Sequence, residues 1–580
     1  MKQTFPVLLV ILLLFNFGCK KKNKNQIEIY GWNILTDHTP TALRTLEASK
    51  NYHVTQLQLS HNICHDLKDV KHQWNRNIVN NLAEKAHEIG IPEVVVWDHA
   101  LYDLDYYPDR FKRQDSGLLD LDNPEFWRWL KADYRKMLDK VPDVNGIVLT
   151  FIETGARVEN QYSEILQTPQ EKLAALVDSV ASVIVTERNM KLYIRSFMYN
   201  KNELSNLMQC FELIKCPDIV VMAKEAPHDF FVTHPASWWI EDIPFPVIIE
   251  FDAAHEFNGQ GIVASFFPET HIKRWKYYRK LHNVIGFSIR TDRYGKTSIL
   301  NRPPEINLFA IHATTQNPQM ETTEVIDSFI AQKYDSVLIP YLRPVFEMAP
   351  EIILSSFYTL GLNTTNHSRL DFSYRSIYTR HVSGRWLEDP EVHIAHGVNQ
   401  TFHYWKDVVN HLAPAGHKRA EGNNLNEIPE VIENNWIQPE ELMDTTYLNY
   451  ILTEKKHGVE LAEQAMFYLK QAKPFFSNSG SFNQMYHTFN RTLLSAKLRK
   501  AYAQVYYGNR IWNRGEEFQN DKLLSLITDG VREIQITAEN IEKYRRRGPT
   551  GQYNWEEDAE IGMKLVQEIK DSDIWRQNTK

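Results

Sequence analysis

The stretch "VIIEFDAAHEFNGQG" (247–261) contains three carboxylates within seven consecutive residues. Glu250 and Asp252 end an apolar run whose pattern predicts a buried strand, and Glu256 follows a short turn that contains His255. An ionised carboxylate away from water is costly unless it is paired, so these residues form either a salt-bridge network or a reactive group. A well-known use of paired carboxylates is cleavage of a glycosidic bond, in which one acid protonates the leaving oxygen and the other activates water or attacks directly.

Motifs for several other chemistries are absent from the sequence. "HEFNG" and "HEIGI" lack the second His of a zinc-protease helix, and no Gly-x-Ser-x-Gly elbow of a serine hydrolase occurs. "DAAHEFNGQG" does not have the spacing of a calcium-binding loop, and Cys64, Cys210 and Cys216 form no C-x-x-C pattern. The sequence therefore predicts no metal site, no organic cofactor and no disulfide framework.

Eight short apolar runs, most of them followed by an amphipathic helical pattern, predict the scaffold that positions these residues. Eight strands that alternate with helices close naturally into a (β/α)8 TIM barrel, an α/β fold, over residues 27–303. An open doubly wound sheet is the alternative, but no Gly-x-Gly-x-x-Gly or Walker-type loop follows any of the runs. The predicted strands span 27–32, 54–60, 93–98, 145–153, 191–197, 218–224, 245–252 and 284–290.

After Pro303 the sequence changes character, and helical periodicity dominates. This change predicts a mainly α-helical C-terminal domain over residues 304–580. Within that domain the stretch "HSRLDFSYRSIYTRHVSGRWLEDPEVHIAHGVNQTFHYW" is polar and aromatic, which makes it a candidate to overhang the barrel mouth and close the pocket.

In a barrel, the C-terminal ends of the strands meet at the active site, so charged residues there are candidates for function. Carboxylates then face Arg and Lys side chains, a composition that suits a polar or anionic polyol. For Glu250 and Asp252 a salt-bridge network with Lys224 or Arg290 that lines the barrel is the alternative, and for Arg195 the alternative is a side chain that fills the barrel. The rule selects His61 with Asn62, Asp98 with His99, Glu153, Arg195, Lys224 with Glu225, Asp229, Glu250, Asp252, Glu256, and Arg290 with Asp292.

The N-terminus, "MKQTFPVLLVILLLFNFGCKKKNKN", predicts export and lipid anchoring. Its apolar run is too short to span a bilayer comfortably and is typical of a signal peptide, and the small residue before Cys19 resembles a bacterial lipobox. We therefore expect a lipoprotein signal over residues 1–19, lipidation of Cys19, a polar tether over residues 20–26 and a location in the bacterial cell envelope. An ordinary secretory signal or a short membrane anchor is the alternative.

The composition is that of a globular protein with 43% hydrophobic and 24% charged residues. A net charge of -8, spread along the chain, provides no basic footprint for nucleic acid. The 14 Trp and 27 Tyr residues indicate either surfaces that stack on sugar rings or large aromatic cores.

Four segments in order, "IRSFMYN", "VVMAKEAPHDFFVTHP", "IIEFDAAHEFNGQG" and "RPPEINLFAIHATTQNP", resemble the catalytic barrel of the α-glucuronidases of glycoside hydrolase family 67 over about residues 140–320. The resemblance implies an inverting hydrolase with Glu153 as the general acid. It also implies that Asp229 and Glu256 hold and deprotonate the attacking water. Lys224 and Arg195 would then bind the uronate carboxylate, with Glu250 and Asp252 as supports or substrate contacts.

The chain departs from this family in three places, which makes it a distant relative. Leu149 or Thr150 in "VLTFIE" stands where the family has a Lys that helps to bind the carboxylate, and Ala226 replaces a Gly. We also expect the family's N-terminal β-domain to be missing, because the first predicted strand follows the signal almost directly. These departures leave the sugar and the reaction open.

Three functions follow from these residues. The first is a glycoside hydrolase that removes a terminal uronic acid, or a similar acidic sugar, from polysaccharide-derived oligosaccharides. The second is a lyase or dehydratase on the same substrates, for example ulvan fragments, with the base and the stabilising cation drawn from Lys224, Arg195, Asp229 and His255. The third is a lipoprotein that binds glycans without catalysis.

Overall fold

The computed structural model describes residues 27–198, 201–226, 229–232, 236–359, 362–363, 365–370, 445–544 and 548–578. The predicted signal peptide, the lipidation site Cys19 and the tether lie outside these residues. Most of the stretch that was predicted to overhang the barrel also lies outside them, apart from its first four residues. Across the described ranges, no helix combines the length and the apolar character that a membrane crossing requires.

Eight parallel strands close into a barrel, in which each strand pairs with the next along the chain and the last pairs with the first. This arrangement confirms the predicted (β/α)8 fold. The strands are β1 (Ile29–Ile34), β2 (Gln56–Leu59), β3 (Glu93–His99), β4 (Gly146–Thr150), β5 (Lys191–Ser196), β6 (Ile219–Lys224), β7 (Val247–Asp252) and β8 (Val284–Arg290).

Helices follow the strands and form the outer layer. Between β6 and β7 the described residues contain a 3₁₀ helix, Trp238–Asp242, where an α-helix would complete the pattern. The α-helices of the barrel are α1 (Thr39–Ala48), α2 (Gln73–Glu88), α3 (Pro124–Leu138), α4 (Pro169–Ala181), α5 (Lys201–Leu213), α6 (Pro268–Tyr278) and α7 (Ile306–Gln316).

Local sequence explains where several of these helices begin. Asn123 precedes Pro124 and accepts a hydrogen bond from the backbone of Glu125, so α3 has both an N-cap and a proline in its first turn. Thr168 and Glu171 form a capping box at the start of α4. These signals separate each helix from the preceding loop.

Both faces of the barrel strands are buried, which explains their continuous apolar runs. Side chains alternate along a strand, so Val95 and Trp97 of β3 pack inside the barrel with Tyr193 and Met222. Val94 and Val96 turn outwards and belong to the core beneath the helices. This alternation decides which residues at a strand end face the cavity.

The C-terminal region is mainly helical, as predicted. A second hydrophobic core, separate from that of the barrel, contains side chains of the C-terminal helices together with Phe257, Ile262 and Val263 from the loop after β7. The barrel and the C-terminal helices therefore pack against each other. The helices are α8 (Thr322–Lys333), α9 (Ile339–Phe357), α10 (Thr445–Ala472), α11 (Ser479–Trp512), α12 (Asp521–Lys543), α13 (Glu557–Asp571) and α14 (Asp573–Asn578).

Two small antiparallel pairs follow α9. The first joins β9 (Tyr358–Thr359) to β10 (Leu362–Asn363). The second joins β11 (Thr365–Asn366) to β12 (Arg369–Leu370), and its tight turn consists of His367 and Ser368. We call this second pair the capping hairpin, because its turn contacts the loop after β7.

Candidate active site

A cavity of about 280 Å³ opens where the C-terminal ends of the barrel strands meet the C-terminal helical domain. Its wall carries three carboxylates, four Lys or Arg side chains and four histidines. The lining residues are His61, His65, His99, Glu153, Arg195, Phe197, Lys224, Asp229, Glu256, Arg290, Arg293, Tyr294, His367 and Gln552.

Most of the residues predicted from the strand ends lie together in this cavity. Asp98, Glu225, Glu250, Asp252 and Asp292 are buried and do not line it, and Asn62 does not line it either. Those that do are His61, His99, Glu153, Arg195, Lys224, Asp229, Glu256 and Arg290.

Glu250 is fully buried in the barrel and pairs with arginines from two other strands. Arg195 Nε donates to Glu250 Oε2 at 2.7 Å, and Arg290 Nη2 lies 2.9 Å from Oε1. Although burial opposes ionisation, Arg195 and Arg290 together lower the pKa of Glu250 below its usual range. Glu250 therefore fixes the two guanidinium groups from beneath, as the salt-bridge alternative predicted.

Asp252 holds the turn that carries Glu256. Its carboxylate accepts hydrogen bonds from the backbone N–H groups of Ala254 (3.1 Å), His255 (3.0 Å) and Glu256 (2.7 Å). Burial raises the pKa of Asp252 to about 6. The three clustered carboxylates thus occupy different positions: Glu250 pairs with arginines, Asp252 orders the loop, and Glu256 faces the cavity.

Glu256 is surrounded by cations. Arg290 Nη1 donates to its Oε2 at 3.1 Å, Arg293 Nη2 donates to its Oε1, and His367 Nε2 lies 3.3 Å from the same Oε1. Burial opposes ionisation, but Arg293, His367 and Arg290 lower the pKa of Glu256 well below its usual range. Glu256 is therefore a carboxylate at physiological pH, suited to orienting a water or stabilising positive charge and poorly suited to accepting a proton.

Lys224 and Asp229 form the opposite charged pair, with Lys224 Nζ donating to Asp229 Oδ1 at 2.7 Å. The ammonium also lies 3.6 Å from the ring centre of Phe197 and 4.6 Å from that of Phe230. Burial lowers the pKa of Lys224. One of the three ammonium donors is taken by Asp229, and the aromatic rings shield the pair from water.

Glu153 differs from the other carboxylates of the cavity because its side chain is exposed. It follows β4 by three residues and makes no hydrogen bond or ion pair within the described part of the chain. It is the lining carboxylate that the surrounding protein leaves uncommitted.

Two stacked imidazoles lie on the Glu153 side of the cavity. The His65 and His99 rings stand 3.8 Å apart at an angle of 10°. Burial opposes the charged form of His65, yet its 2.7 Å hydrogen bond to Asp66 and the nearby Asp69 and Glu153 raise its pKa. Burial and the charge of His65 lower the pKa of His99 to about 3.

Asp98 was predicted as a substrate contact, and the structure places it outside the cavity. It accepts hydrogen bonds from Tyr102 Oη (2.8 Å), Tyr134 Oη and the backbone N–H of Leu67 (2.9 Å). Burial raises its pKa to about 6. The reason is strand alternation: His99 shares the inward face of Trp97, whereas Asp98 faces the helices.

His255 was considered as a base for an elimination reaction, but it does not line the cavity. Its Nε2 lies 2.9 Å from His271 Nε2, and its Nδ1 lies 2.9 Å from Ser265 Oγ. Both histidines are buried. His255 therefore supports the loop after β7, and no proton transfer to a substrate in the cavity follows from its position.

Six lining residues lie outside the sequence prediction: Phe197, Arg293, Tyr294, His65 (six residues after β2), His367 and Gln552. The first three lie one to four residues beyond β5 and β8, so a longer window after each strand would have included them. His367 and Gln552 come from the C-terminal domain, and no strand-end rule reaches them.

His65, Asp66 and His99 offer ligand atoms within 4.8 Å of one another. A metal ion must lie near the ring plane of each coordinating imidazole, and the two rings are nearly parallel and stacked. An ion in the plane of one ring would lie well out of the plane of the other. The three side chains in this arrangement do not fit one metal ion.

No protein-family model matches the chain, and no curated protein matches it. Among solved structures, a mutant O-GlcNAc hydrolase of Thermobaculum terrenum is similar with a TM-score of 0.44 and 10% identity over 96% of each chain. A family GH115 4-O-methyl-α-glucuronidase with specificity for decorated arabinogalactans is similar with a TM-score of 0.48 and 8% identity over 93% of this chain and 61% of that one. At these values the likenesses decide neither substrate nor reaction, and the particular resemblance to family 67 stays a prediction.

Proposed function

We propose that the protein is a glycoside hydrolase that removes one terminal acidic sugar from an oligosaccharide by an inverting acid/base mechanism. The observation that supports this most is the composition of the cavity at the strand ends. It combines the carboxylates of Glu153, Asp229 and Glu256 with four cationic side chains, Arg195, Lys224, Arg290 and Arg293. Carboxylates serve proton transfer and water activation, and cations bind an anionic sugar.

The size of the cavity favours action at a chain end. Pockets for drug-sized ligands measure roughly 300–1,000 Å³, and this cavity measures about 280 Å³. One sugar ring fits such a volume, whereas several consecutive rings do not. The capping hairpin closes one side of the cavity through His367.

The surroundings of each carboxylate divide the catalytic roles. Glu153 has no hydrogen-bond or ion-pair partner within the described ranges, so its carboxyl group is free to contact and protonate the leaving oxygen. Glu256 is kept ionised by its cations and orients the attacking water, and Asp229 accepts the proton from that water. Lys224 beside Asp229 and the remaining donor edge of Arg195 bind the carboxylate of the sugar.

Product analysis tests this proposal. The purified protein is incubated with uronate-capped xylo-oligosaccharides and with ulvan fragments, and the products are separated by mass. We expect a free uronic acid and an oligomer shortened by one sugar. Asp229→Asn should remove this turnover, while Glu212→Gln, an exposed carboxylate on α5 far from the cavity, should leave it unchanged. Oligomers of unchanged mass with every substrate would contradict the proposal.

Elimination is the second candidate function, and the stacked imidazoles favour it. The raised pKa of His65 provides a proton donor next to Glu153, and the base that removes the proton beside the sugar carboxylate is Asp229. Arg195 and Lys224 would then stabilise the enolate-like charge that forms when the proton next to the carboxylate is removed. An oligomer lighter by one water, with a new ultraviolet chromophore, would identify this reaction.

We also propose that Cys19 carries a lipid that anchors the protein in the bacterial cell envelope. The support is the sequence pattern before that residue. Metabolic labelling with a radioactive or clickable fatty acid should mark the wild-type protein and leave Cys19→Ser unlabelled. Equal labelling of both proteins would contradict the anchor.

A further inference from the structure

Gln552 reaches the cavity from the segment between α12 and α13, more than 250 residues after the last barrel strand. Its backbone is fixed against the loop after β8. Lys296 N–H donates to the carbonyl of Thr550 at 2.7 Å, and Gln552 N–H donates to the carbonyl of Arg293 at 3.3 Å. The side chain therefore enters the cavity from a backbone held at two points.

The orientation of the Gln552 amide follows from its partners. Arg293 Nε donates to Gln552 Oε1 at 3.0 Å, and Gln260 Nε2 donates to the same oxygen at 3.2 Å. An arginine can only donate, so the amide atom that faces it must be the oxygen. The amide NH₂ group points away from both partners, and within the described ranges it donates to no residue.

Gln260, the second partner, is itself held in one orientation. Its Oε1 accepts from the backbone N–H of Tyr553 at 2.9 Å, and its two Nε2 hydrogens are shared among three acceptors at 3.2 Å each, Gln552 Oε1 and the carbonyls of Glu256 and His367. This network connects the loop after β7, the capping hairpin and the segment before α13. The Gln552 amide is thereby preorganised before any ligand binds.

Arg293 forms the wall of the cavity next to Gln552. Its Nη2 donates to Glu256 and its Nε donates to Gln552, while its Nη1 is buried and meets no acceptor among the described residues. Nη1 is enclosed by protein, so the Arg293 side chain stays fixed between Glu256 and Gln552. Because the Glu256 carboxylate lies at the same wall, a neutral hydroxyl fits the position beside the Gln552 amide better than a second carboxylate.

We propose that Gln552 is a substrate-binding residue that determines specificity, and that its amide N–H donates to one hydroxyl oxygen of the acidic sugar. This inference rests on the proposed function, because it names a contact for the sugar in that same cavity. It also assigns the C-terminal domain a direct part in recognition. A sugar that lacks the hydroxyl leaves the preorganised donors unpaired and is discriminated against.

The segment that carries Gln552 is anchored by a buried ion pair. Arg499 Nη1 lies 2.7 Å from Asp558 Oδ2, and both side chains are fully buried. Asp558 also accepts from Tyr553 Oη at 2.6 Å and from the backbone N–H of Leu370 at 2.7 Å. The same carboxylate thus holds both the segment of Gln552 and the capping hairpin.

Two substitutions separate a substrate contact from a purely supporting role. Gln552→Glu keeps acceptor oxygens for Arg293 and Gln260 but has no amide donor, whereas Gln552→Leu removes both the acceptor and the donor. Gln209→Glu is the matched control, because Gln209 is exposed on α5 and its Oε1 also accepts from a glutamine, Gln170.

The experiment is calorimetric titration of the purified full chain with D-glucuronate, D-galacturonate and their singly deoxygenated analogues. For the sugar that binds, we expect both variants to lose roughly three- to tenfold in affinity, the worth of one hydrogen bond. The deoxy analogue that lacks the contacted hydroxyl should bind the wild-type protein and Gln552→Leu equally. A new carboxylate in Gln552→Glu repels the sugar and its analogue alike, so the ratio of the two affinities is the decisive quantity.

The outcomes distinguish the two proposals. If the ratio of the affinities for the sugar and for its deoxy analogue is the same in both variants as in the wild-type protein, the role of Gln552 is overturned. The proposal that the cavity binds an acidic sugar is unaffected by that result. A change of this affinity ratio in Gln552→Leu but not in Gln552→Glu would show that Gln552 only orients Arg293. That result would also overturn the proposed contact between Gln552 and the sugar. Failure of the wild-type protein to bind any uronate would overturn the proposed function, and the assignment of Gln552 with it.

Discussion

The barrel and the C-terminal domain contribute different kinds of groups to the same cavity. The barrel strands and the loops directly after them provide all the described Lys, Arg, Asp and Glu side chains of the lining. The described part of the C-terminal domain provides one imidazole and one amide, His367 and Gln552. If the proposed function holds, the barrel supplies the charges for catalysis, and His367 and Gln552 orient these charges and contact the sugar.

The two regions are also held together by different means. In the barrel, one buried carboxylate, Glu250, clamps Arg195 and Arg290 directly beneath the cavity. In the C-terminal domain, the buried Arg499–Asp558 pair fixes the backbone that carries the cavity residues and does not reach the cavity. Substitutions in the barrel should therefore have larger effects on catalysis and stability than substitutions of the C-terminal cavity residues.

The largest effect is expected from Glu153→Gln. Loss of the proton donor should lower kcat by about 10²–10⁴-fold while the sugar still binds, because general acid catalysis contributes that much and the cationic residues are unchanged. Steady-state kinetics and titration with a free uronate measure the two quantities. An unchanged kcat would remove Glu153 from the mechanism, and binding without turnover in the wild-type protein as well would indicate a glycan-binding protein.

Glu250→Gln tests the clamp. It leaves two buried guanidinium groups without their carboxylate, so we expect a loss of roughly 3–5 kcal/mol in the free energy of unfolding, measured by urea denaturation. The control is Glu187→Gln, which breaks the exposed pair with Arg135 and should cost less than about 1 kcal/mol. Equal losses for the two variants would show that Glu250 is not a special position.

Asp252→Asn tests how the stability of the barrel side of the site depends on pH. The pKa of Asp252 in the folded protein is about 6, above the value of about 3.9 in an unfolded chain. The folded state therefore binds the proton more tightly, and the contribution of this group to stability falls as pH rises from about 4 to 6. Asparagine cannot titrate, so this decline, about 3 kcal/mol at most, should disappear.

Thermal unfolding of the wild-type protein and Asp252→Asn at a series of pH values measures this difference. Asp143→Asn, an exposed aspartate before β4, is the control that should follow the wild-type curve. Parallel curves for all three proteins between pH 4 and 6 would contradict the raised pKa of Asp252.

The smallest effect is expected from His367→Ala in the capping hairpin. His367 is one of three cationic or polar partners of Glu256, and its side chain is 42% exposed, so solvent screens the pair. We expect kcat/KM to fall roughly two- to fivefold. His457→Ala, which removes an exposed His–Glu pair on α10, should leave kcat/KM unchanged. A loss as large as that of Glu153→Gln would mean that the C-terminal domain takes part in the chemistry itself.

Much of the barrel side of the site could be predicted because strand position follows from local sequence. The apolar run before Glu250 locates β7 to within two residues, and the strand-end rule then selects Lys224, Arg195 and Arg290. The rule failed at Asp98, where counting from the strand end ignores which face a residue occupies. The inward position of Trp97 identifies His99 as the cavity residue instead.

The C-terminal side could not be predicted in the same way. Gln552 and His367 lie in irregular segments, and their positions depend on contacts with Arg293, Gln260 and Glu256 that are 100 or more residues away in sequence. No local pattern encodes such contacts. The sequence also does not show which charged side chains pair with each other. It shows Glu256 as a candidate base, and only the structure shows the cations that keep Glu256 ionised.

Proton NMR of the reaction as it proceeds tests the central claim most directly. The purified protein is mixed with an oligosaccharide that ends in a uronic acid, and the anomeric and vinyl regions of the spectrum are recorded from the first minutes. We predict signals of a free uronic acid, with the anomer of inverted configuration appearing first and the second anomer following by mutarotation. A vinyl proton of an unsaturated sugar without any free uronic acid would contradict hydrolysis and establish elimination at this cavity.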